Sequence, residues 1–205
     1  MIITDRDRGC TILRLARSQK ANALTGAMLQ DLCTAVAAAD SKVLILTGEG
    51  TVFSAGANLE EMKAGLGTNP VWEKLSAAIA GYPGLTIAAL NGTLAGGAMG
   101  MALACDLRIA VPEARFFYPV MRLGYLPQPS DPGRLAALVG LSRARMILLA
   151  GQRIGAEEAL AWGLIDRIVA PDVLMDSAMA LAADALGADQ GHLRALKRMT
   201  KGERP

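Results

Sequence analysis

The sequence of 205 residues is poor in aromatic side chains, which make up only 4% of it, and it contains a single histidine, His192. Because hydrophobic residues still make up 52%, the core has to be built from Ala, Leu, Ile, Val and Met. This favours helices packed closely on strands, in one domain large enough to bury a core without disulfides. With one histidine and no cluster of cysteine and histidine, we expect no metal and no redox cofactor.

Cysteine is scarce as well. Cys10, Cys33 and Cys105 are an odd number, lie far apart and have apolar neighbours, which is typical of reduced, buried thiols in a cytosolic protein. The N-terminus, MIITDRDRG, contains acidic residues and no apolar run, which excludes a secretory signal. We therefore expect a cytoplasmic protein.

Neither the charge nor the hydropathy of the sequence indicates nucleic acid or a membrane as a partner. The formal net charge is +2, and no basic stripe with interleaved aromatic residues occurs, so we expect no nucleic acid. The apolar segment Leu94–Ala104 has the glycine spacing of membrane helix pairs but is far shorter than the ~20 residues that a spanning helix needs. We expect no membrane partner either.

The most distinctive stretch is Ala89–Asp106, ALNGTLAGGAMGMALACD. An apolar strand, Leu85–Leu90, breaks at Asn91-Gly92, and a small-residue helix follows Gly96-Gly97. Free amides at the start of a helix, without a Cβ nearby, favour the binding of a developing anion. The same glycines would serve tight helix packing equally well, and the sequence spells neither a dinucleotide fingerprint nor a phosphate loop.

A second stretch favours the anion site. The apolar strand Val43–Gly48 is followed by TVFSAGANLEEM, in which Gly56, Ala57 and Asn58 lead into an acidic helical turn. Two strands that each end in a turn with free amides can supply one donor apiece to a single oxygen. This is how an oxyanion hole is built.

The pattern of the rest of the chain predicts alternating short strands and helices. We predict a hairpin of Met1–Thr4 and Cys10–Leu15, a helix capped by Thr25, a loop over Met121–Asp131 and a long helix over Pro171–Leu186. The central strands and helix should be buried, and the residues predicted to be buried there are Leu44, Leu46, Ile87, Leu90, Met99 and Leu103.

Four motifs in chain order make this sequence similar to the crotonase superfamily, also called the enoyl-CoA hydratase/isomerase family. They are FSAGANLEEM, NGTLAGGAMGMALACDLRIA, ARFFYPVMRLGYLP and GLIDRIV, and the similarity extends from Lys20–Leu24 to Ile168-Val169. The resemblance implies an α/β fold, a spiral of repeated ββα units that binds acyl-CoA thioesters. It implies an oxyanion hole made by the backbone amides of Ala57 and Gly97.

The resemblance also bears on domains and partners. Residues 1–186 correspond to the acyl-CoA-binding core, and residues 187–205 to a C-terminal helical tail that is reduced relative to the family's usual helices. Family members form homo-oligomers of the trimer type, so this chain is expected to do so or to be a subunit beside another partner.

Contacts to coenzyme A are implied for a group of small and polar residues near the two turns, and these are Lys20, Ala21, Ala55, Asn58 and Gly96. Coenzyme A belongs to the substrate, and no further cofactor is implied. Arg17 and Lys20 are the cations that would meet phosphates, but both also fit ordinary surface charge.

The resemblance breaks down at the two glutamates that hydratases of this family use to activate water and to protonate Cα. Their positions fall on Gly100 and Val120, and neither residue can transfer a proton. Tyr125 and Asp131 are the candidate replacements, although a hydrogen-bonding tyrosine and an aspartate at a turn or helix cap have structural roles too. Tyr118 is open to the same two interpretations.

The expected function follows from the oxyanion hole that the resemblance implies and from the two glutamates that the sequence lacks. An oxyanion hole without the two glutamates favours isomerase or decarboxylase chemistry on an acyl-CoA over hydration, because loss of CO₂ generates an enolate without a carboxylate base. The alternative is a catalytically silent subunit that binds acyl-CoA or a partner protein.

Overall fold

The computed structural model describes residues 1–203 as two sheets wrapped by helices. The described strands, in chain order, are β1 Ile2–Asp7, β2 Cys10–Leu15, β3 Val43–Gly48, β4 Val52–Ser54, β5 Leu85–Leu90, β6 Thr93–Ala95, β7 Leu107–Ala110, β8 Arg115–Phe117, β9 Ile154–Gly155 and β10 Arg167–Ile168.

The helices lie between and outside these strands. They are α1 Gly26–Ala38, α2 Leu59–Lys63, α3 Val71–Ala80, α4 Met99–Ala104, α5 Val120–Leu123, α6 Asp131–Val139, α7 Leu141–Leu148, α8 Ala156–Trp162, α9 Leu174–Gly187 and α10 Gln190–Thr200. Single 3₁₀ turns cover Ser18–Lys20, Leu66–Thr68, Gly96–Ala98 and Pro171–Val173.

The larger sheet has the strand order β1-β2-β3-β5-β7-β10, and the smaller one has β4-β6-β8-β9. β1 and β2 form an antiparallel hairpin, while the pairs from β2 to β10 in the large sheet are parallel. Each of β3, β5 and β7 is followed by a short strand of the smaller sheet and then by a helix. This is the repeated ββα unit that the resemblance implies, and the α/β prediction is confirmed.

The core lies around the parallel strands, of which β3, β5 and β7 are covered on both faces and are therefore mostly apolar. All six residues of β3 are buried. The six residues predicted to be buried are all found buried, with at most 6% exposed: Leu44, Leu46, Ile87, Leu90, Met99 and Leu103. The three cysteines are free and buried too.

Leu46 offers a direct test of this core. Its side chain is 2% exposed, and Leu46→Ala is expected to lower the free energy of unfolding by ~2–5 kcal/mol because it removes apolar contacts and leaves a cavity. Leu141, which is 58% exposed, is the matched control, and Leu141→Ala should change stability by less than ~0.5 kcal/mol in the same denaturant titration. Equal losses in the two variants would contradict the assignment of β3 to the core.

Three boundaries differ from the sequence prediction. The first strand, predicted as Met1–Thr4, is Ile2–Asp7 and so continues into the turn of the predicted hairpin. The predicted loop over Met121–Asp131 begins inside a helical turn, α5, which ends at Gly124 in the left-handed conformation (φ +71°), as is common at helix ends. The segment that follows, with Pro127 and Pro129, has no helix, and a turn at residues 129–130 leads into α6. The predicted helix from Pro171 starts with a 3₁₀ turn, and its α-helical part is α9.

The C-terminal tail is helical, as expected, and polar contacts hold it against the core. Lys197 of α10 donates from Nζ to the Gly84 carbonyl and to Asp106 Oδ2, each at 2.7 Å. Lys42 donates from Nζ to the Leu186 carbonyl at 3.0 Å, near the end of α9. The division of the chain at residue 187 stays a prediction. Across residues 1–203, each helix is too short or too polar to span a bilayer.

Candidate active site

The two glycine-rich turns meet directly. Gly56, after β4, has φ +95°, and Gly96, after β6, has φ +58°, so both adopt the left-handed conformation that suits glycine. A Cβ on Gly56 would lie 2.9 Å from the Ala95 carbonyl oxygen and 3.4 Å from Gly96 Cα. Glycine at residue 56 therefore lets the two turns touch, and it brings Ala57 close to Gly97.

The amide of Ala57 is left free by the neighbouring strand-like contact. Leu24 donates to the Gly56 carbonyl and accepts from the Asn58 amide, both at 2.7 Å. In a parallel bridge of this kind, the N–H of the residue between the two bonded neighbours points to the opposite side. The Ala57 N–H therefore points away from Leu24.

Gly97 lies in the turn Gly96–Ala98 that leads into α4, where amide groups have no partner within the helix. The indole ring of Trp72 covers it, and a Cβ on Gly97 would lie 3.1 Å from that ring. Trp72 is held in turn by its Nε1–H, which donates to the Leu66 carbonyl at 2.9 Å. The glycine thus makes room for Trp72, a reason that the sequence alone did not suggest.

Ala57 and Gly97 line the same cavity, whose volume is about 30 Å³. Tyr125 and Val120, two further residues singled out from the sequence, also line it. The remaining lining residues are Met62, Gly67, Trp72, Tyr118, Leu126 and Gln128. A volume of this size holds about one water molecule, so a thioester oxygen is the kind of group that fits between the two turns.

Asp131 lies behind the cavity wall at the first position of α6, and it is 1% exposed. The Tyr118 hydroxyl, which belongs to the wall, donates to Asp131 Oδ2 at 2.9 Å. A Cβ on Gly100 would lie 2.8 Å from Asp131 Oδ1 and 3.0 Å from Oδ2. The carboxyl of Asp131 therefore fills the space that a side chain at residue 100 would take.

Burial raises the pKa of Asp131 to about 6, against the opposing effects of the Tyr118 hydrogen bond and the positive charge of Arg134. Burial also raises the pKa of Tyr118, and the charge of Asp131 adds to that effect. Asp131 Oδ1 has no hydrogen-bond partner within residues 1–203. A carboxyl that titrates near neutral pH is suited to both accepting and donating a proton.

Tyr125 closes the cavity on the side of the Leu66–Thr68 turn. A Cβ on Gly67 would lie 2.8 Å from the tyrosine ring, so the ring rests directly on that backbone. Tyr125 also borders an apolar groove of about 420 Å³, which shares Val120 and Leu126 with the cavity. The cavity therefore adjoins a larger apolar surface.

Comparison with known proteins agrees with this geometry. A family model described as enoyl-CoA hydratase/isomerase matches residues 5–203. A short-chain-enoyl-CoA hydratase of Clostridium acetobutylicum is 34% identical over 195 residues, which are 88% of this chain and 73% of that protein. The chain belongs to the enoyl-CoA hydratase/isomerase family.

Two further proteins are similar to this chain over most of its length. The 4-chlorobenzoyl coenzyme A dehalogenase-1 of an Arthrobacter species is 32% identical over 208 residues, covering 95% of this chain and 75% of that protein. The crystal structure of an enoyl-CoA hydratase from Bacillus anthracis superposes with a TM-score of 0.90 at 29% identity, over 98% of this chain and 82% of that one. The similarity thus covers nearly the whole of this chain.

The residues predicted to contact coenzyme A lie in or beside the two glycine-rich turns. Lys20, Ala55 and Asn58 line an open cavity of about 430 Å³, which shares Ala57 with the smaller cavity. Ala21 supports it from behind, since its carbonyl accepts from the Ala55 amide at 3.0 Å. Gly96 shapes the neighbouring turn without lining this cavity. The role of all five in binding stays a prediction.

Two polar side chains near this cavity have structural partners. Asn58 Oδ1 accepts from the amides of Glu60 and Glu61, each at 3.1 Å, and so caps α2. Arg17 donates from Nη1 to the Ala23 carbonyl at 2.9 Å. Lys20 is exposed, and its contact with a phosphate group stays a prediction.

Sequence reasoning missed Glu73 and Ser130. Glu73, on α3, accepts the Ser130 amide at 3.1 Å and also its hydroxyl. The two residues are 57 positions apart, so no spacing in the sequence relates them. Their contact places a second carboxylate one residue away from Asp131.

The raised pKa of Asp131 predicts how stability depends on pH. The folded protein binds this proton more tightly than the unfolded chain, so the free energy of unfolding should fall as pH rises from about 4 to about 6, by on the order of 3 kcal/mol. Asp131→Asn removes the titrating group and should remove this part of the dependence. Unfolding titrations of both proteins at several pH values measure the difference, and parallel pH curves would show that Asp131 titrates normally.

Proposed function

We propose that the protein polarises the carbonyl of an acyl-CoA thioester with the amides of Ala57 and Gly97, and moves a proton at the resulting enolate with the carboxyl of Asp131. The observation that carries this proposal is the position of that carboxyl beside Gly100, where the resemblance places a proton-transferring glutamate in hydratases. The proton path from the cavity to Asp131 passes the Tyr118 hydroxyl.

A site with one such carboxyl supports the shift of a double bond better than hydration. The Tyr118 hydroxyl passes its proton to the ionised carboxyl of Asp131 as the tyrosine oxygen takes a proton from Cα of a 3-enoyl thioester, and the electron pair moves into the oxyanion of a dienolate. The reverse transfer, from Asp131 to Tyr118 and from Tyr118 to Cγ, yields the 2-enoyl thioester with no net change in protons. Hydration needs a second group to activate water, and Val120 cannot supply it.

Decarboxylation of a malonyl-type thioester is the second candidate reaction. Release of CO₂ leaves its electron pair in the same enolate, so no base is needed, and neutral Asp131 supplies the proton to Cα through the Tyr118 hydroxyl. A pKa of about 6 keeps part of the population of Asp131 protonated near neutral pH, which favours this last step. Both reactions proceed without a further cofactor.

The apolar side chains near the groove favour an assembly. Met121 and Leu149 are each 57% exposed and Leu126 is 88% exposed, so the groove presents a patch of the kind that other chains cover. We propose a cytoplasmic homo-oligomer of the trimer type, or a complex with a partner subunit, and the molar mass in solution tests this.

The reaction is tested with three thioesters in parallel. We expect isomerisation of 3-hexenoyl-CoA or decarboxylation of malonyl-CoA to be measurable, and hydration of crotonyl-CoA to stay well below ~10² s⁻¹, because positioned acid and base groups contribute ~10²–10⁴-fold each. Hydration at or above that rate would mean that other residues replace the two glutamates. Saturable binding of all three thioesters without any product would favour the alternative of a catalytically silent subunit.

A further inference from the structure

Helix α6, which carries Asp131, is capped from another part of the chain. Ser130 is its N-cap residue, but the serine side chain does not accept a hydrogen bond from that helix. Instead, the carboxylate of Glu73 on α3 accepts both the amide and the hydroxyl of Ser130. A negative charge at this end of a helix is favoured by the helix dipole. Glu73 thus fastens the start of α6 to α3.

Helix α3 also reaches the oxyanion turns. Trp72, the residue before Glu73, covers Gly97, and Glu73 itself holds the residue before Asp131. Two neighbouring residues of one helix therefore contact both parts of the site. We propose that Glu73 is the positioning residue that fixes the Asp131 carboxyl beside Gly100 by tying Ser130 to α3. The catalytic consequence rests on the proposed function, whereas the positioning itself does not.

The charges around Asp131 give this contact a second effect. The groups that act on the carboxyl are the Tyr118 hydroxyl, the Arg134 guanidinium and Glu73. The hydrogen bond from the Ser130 hydroxyl lowers the pKa of Glu73, so Glu73 is ionised near neutral pH. Its negative charge raises the pKa of Asp131, while Arg134 lowers it. Glu73 therefore acts on both the place of the carboxyl and its affinity for a proton.

Three variants separate these effects. Glu73→Gln removes the charge but keeps an oxygen that can accept from the Ser130 amide and a group that can bond its hydroxyl. Ser130→Ala keeps the charge and the amide contact but loses the hydroxyl. Glu73→Ala removes charge and contact together. Glu113→Gln changes an exposed glutamate and serves as the matched control.

Two quantities are measured. The pKa of Asp131 comes from its carboxyl ¹³C resonance in protein labelled at aspartate, and the Asp131→Asn variant assigns that resonance. The kinetic constants kcat and KM are determined for the preferred thioester. Glu73→Gln is expected to lower that pKa, with kcat within about threefold of the wild type. Glu73→Ala should lower the pKa as well and reduce kcat about tenfold or more at unchanged KM, because small displacements of a reacting group are costly. Ser130→Ala should reduce kcat less and leave the pKa close to that of the wild type.

The proposal is overturned if Glu73→Gln and Glu73→Ala both leave the pKa of Asp131 unchanged, or if Glu73→Ala lowers only the melting temperature. If Glu73→Ala does not fold, the pKa of Asp131 and kcat in Glu73→Gln and Ser130→Ala test the proposal, because each of these variants keeps part of the contact. If Asp131→Asn is as active as the wild type, the proposed function fails. The resonance of Asp131 still reports whether Glu73 controls it.

Discussion

Asp131→Asn is expected to reduce kcat/KM for the preferred thioester by ~10²–10⁴-fold, because asparagine keeps the size of the side chain but cannot take up or release the proton. The Tyr118 hydroxyl can still donate to the amide oxygen, so the wall of the cavity should keep its shape. Binding of the thioester, measured by calorimetry, should change little. The loss should therefore appear in kcat.

Two controls make this result specific. Asp172→Asn, at an exposed aspartate, should have wild-type kinetics. The variant at Asp131 should also be at least as stable as the wild type above about pH 6, since it no longer buries a charge, so that lost activity does not reflect unfolding. An Asp131→Asn protein with kcat within about threefold of the wild type would show that the proton is moved by another group.

The second large effect is expected at Gly97, in the turn that leads into α4. Gly97→Pro deletes the amide hydrogen and should weaken the binding of an enolate-mimicking CoA analogue by ~3 kcal/mol, as other losses of an oxyanion donor do. A Cβ at residue 97 also presses on the ring of Trp72. Gly97→Ala introduces that contact while keeping the N–H, so the comparison of the two variants separates the effect of the Cβ from that of losing the N–H to the proline ring.

Calorimetric titration of both variants gives the answer. Gly97→Ala should bind the analogue within about tenfold of the wild type, and Gly97→Pro should bind it ~10²-fold more weakly than Gly97→Ala. Equal affinities in the two folded variants would mean that the Gly97 amide does not contact the oxyanion. The remaining donor, Ala57, would then have to account for the polarisation.

The sequence predicted those parts of the site that depend on consecutive residues. At Ala57 and at Gly97, a strand is followed by a glycine turn and then by a helix. The type of each element and the presence of a free amide can therefore be predicted from neighbouring residues alone. The two matching turns suggested that their amides meet at one oxygen, and the resemblance supported this. The pairing of parallel strands that brings the turns together cannot be predicted from either turn alone. Asn58 shows the limit of such reading, because a polar residue before a helix is as well suited to capping as to ligand binding.

What the sequence could not predict are contacts between distant helices. Gly100 looked like a vacant position, but the structure places Asp131 of α6 in that space. Glu73 and Ser130 are farther apart still, and nothing in their local patterns relates them. Packing of α3, α4 and α6 against one another decides these positions, and the periodicity of each helix alone does not contain that information.

The contact between residues 100 and 131 has a consequence for how this family can change its chemistry. A side chain at residue 100 and the carboxyl of Asp131 compete for one volume, so the two positions are coupled and their substitutions should not be additive. A glutamate at residue 100 would require the side chain at residue 131 to be smaller or to turn away. Moving the acid from one helix to the other therefore takes paired exchanges, and related sequences should show these two positions varying together.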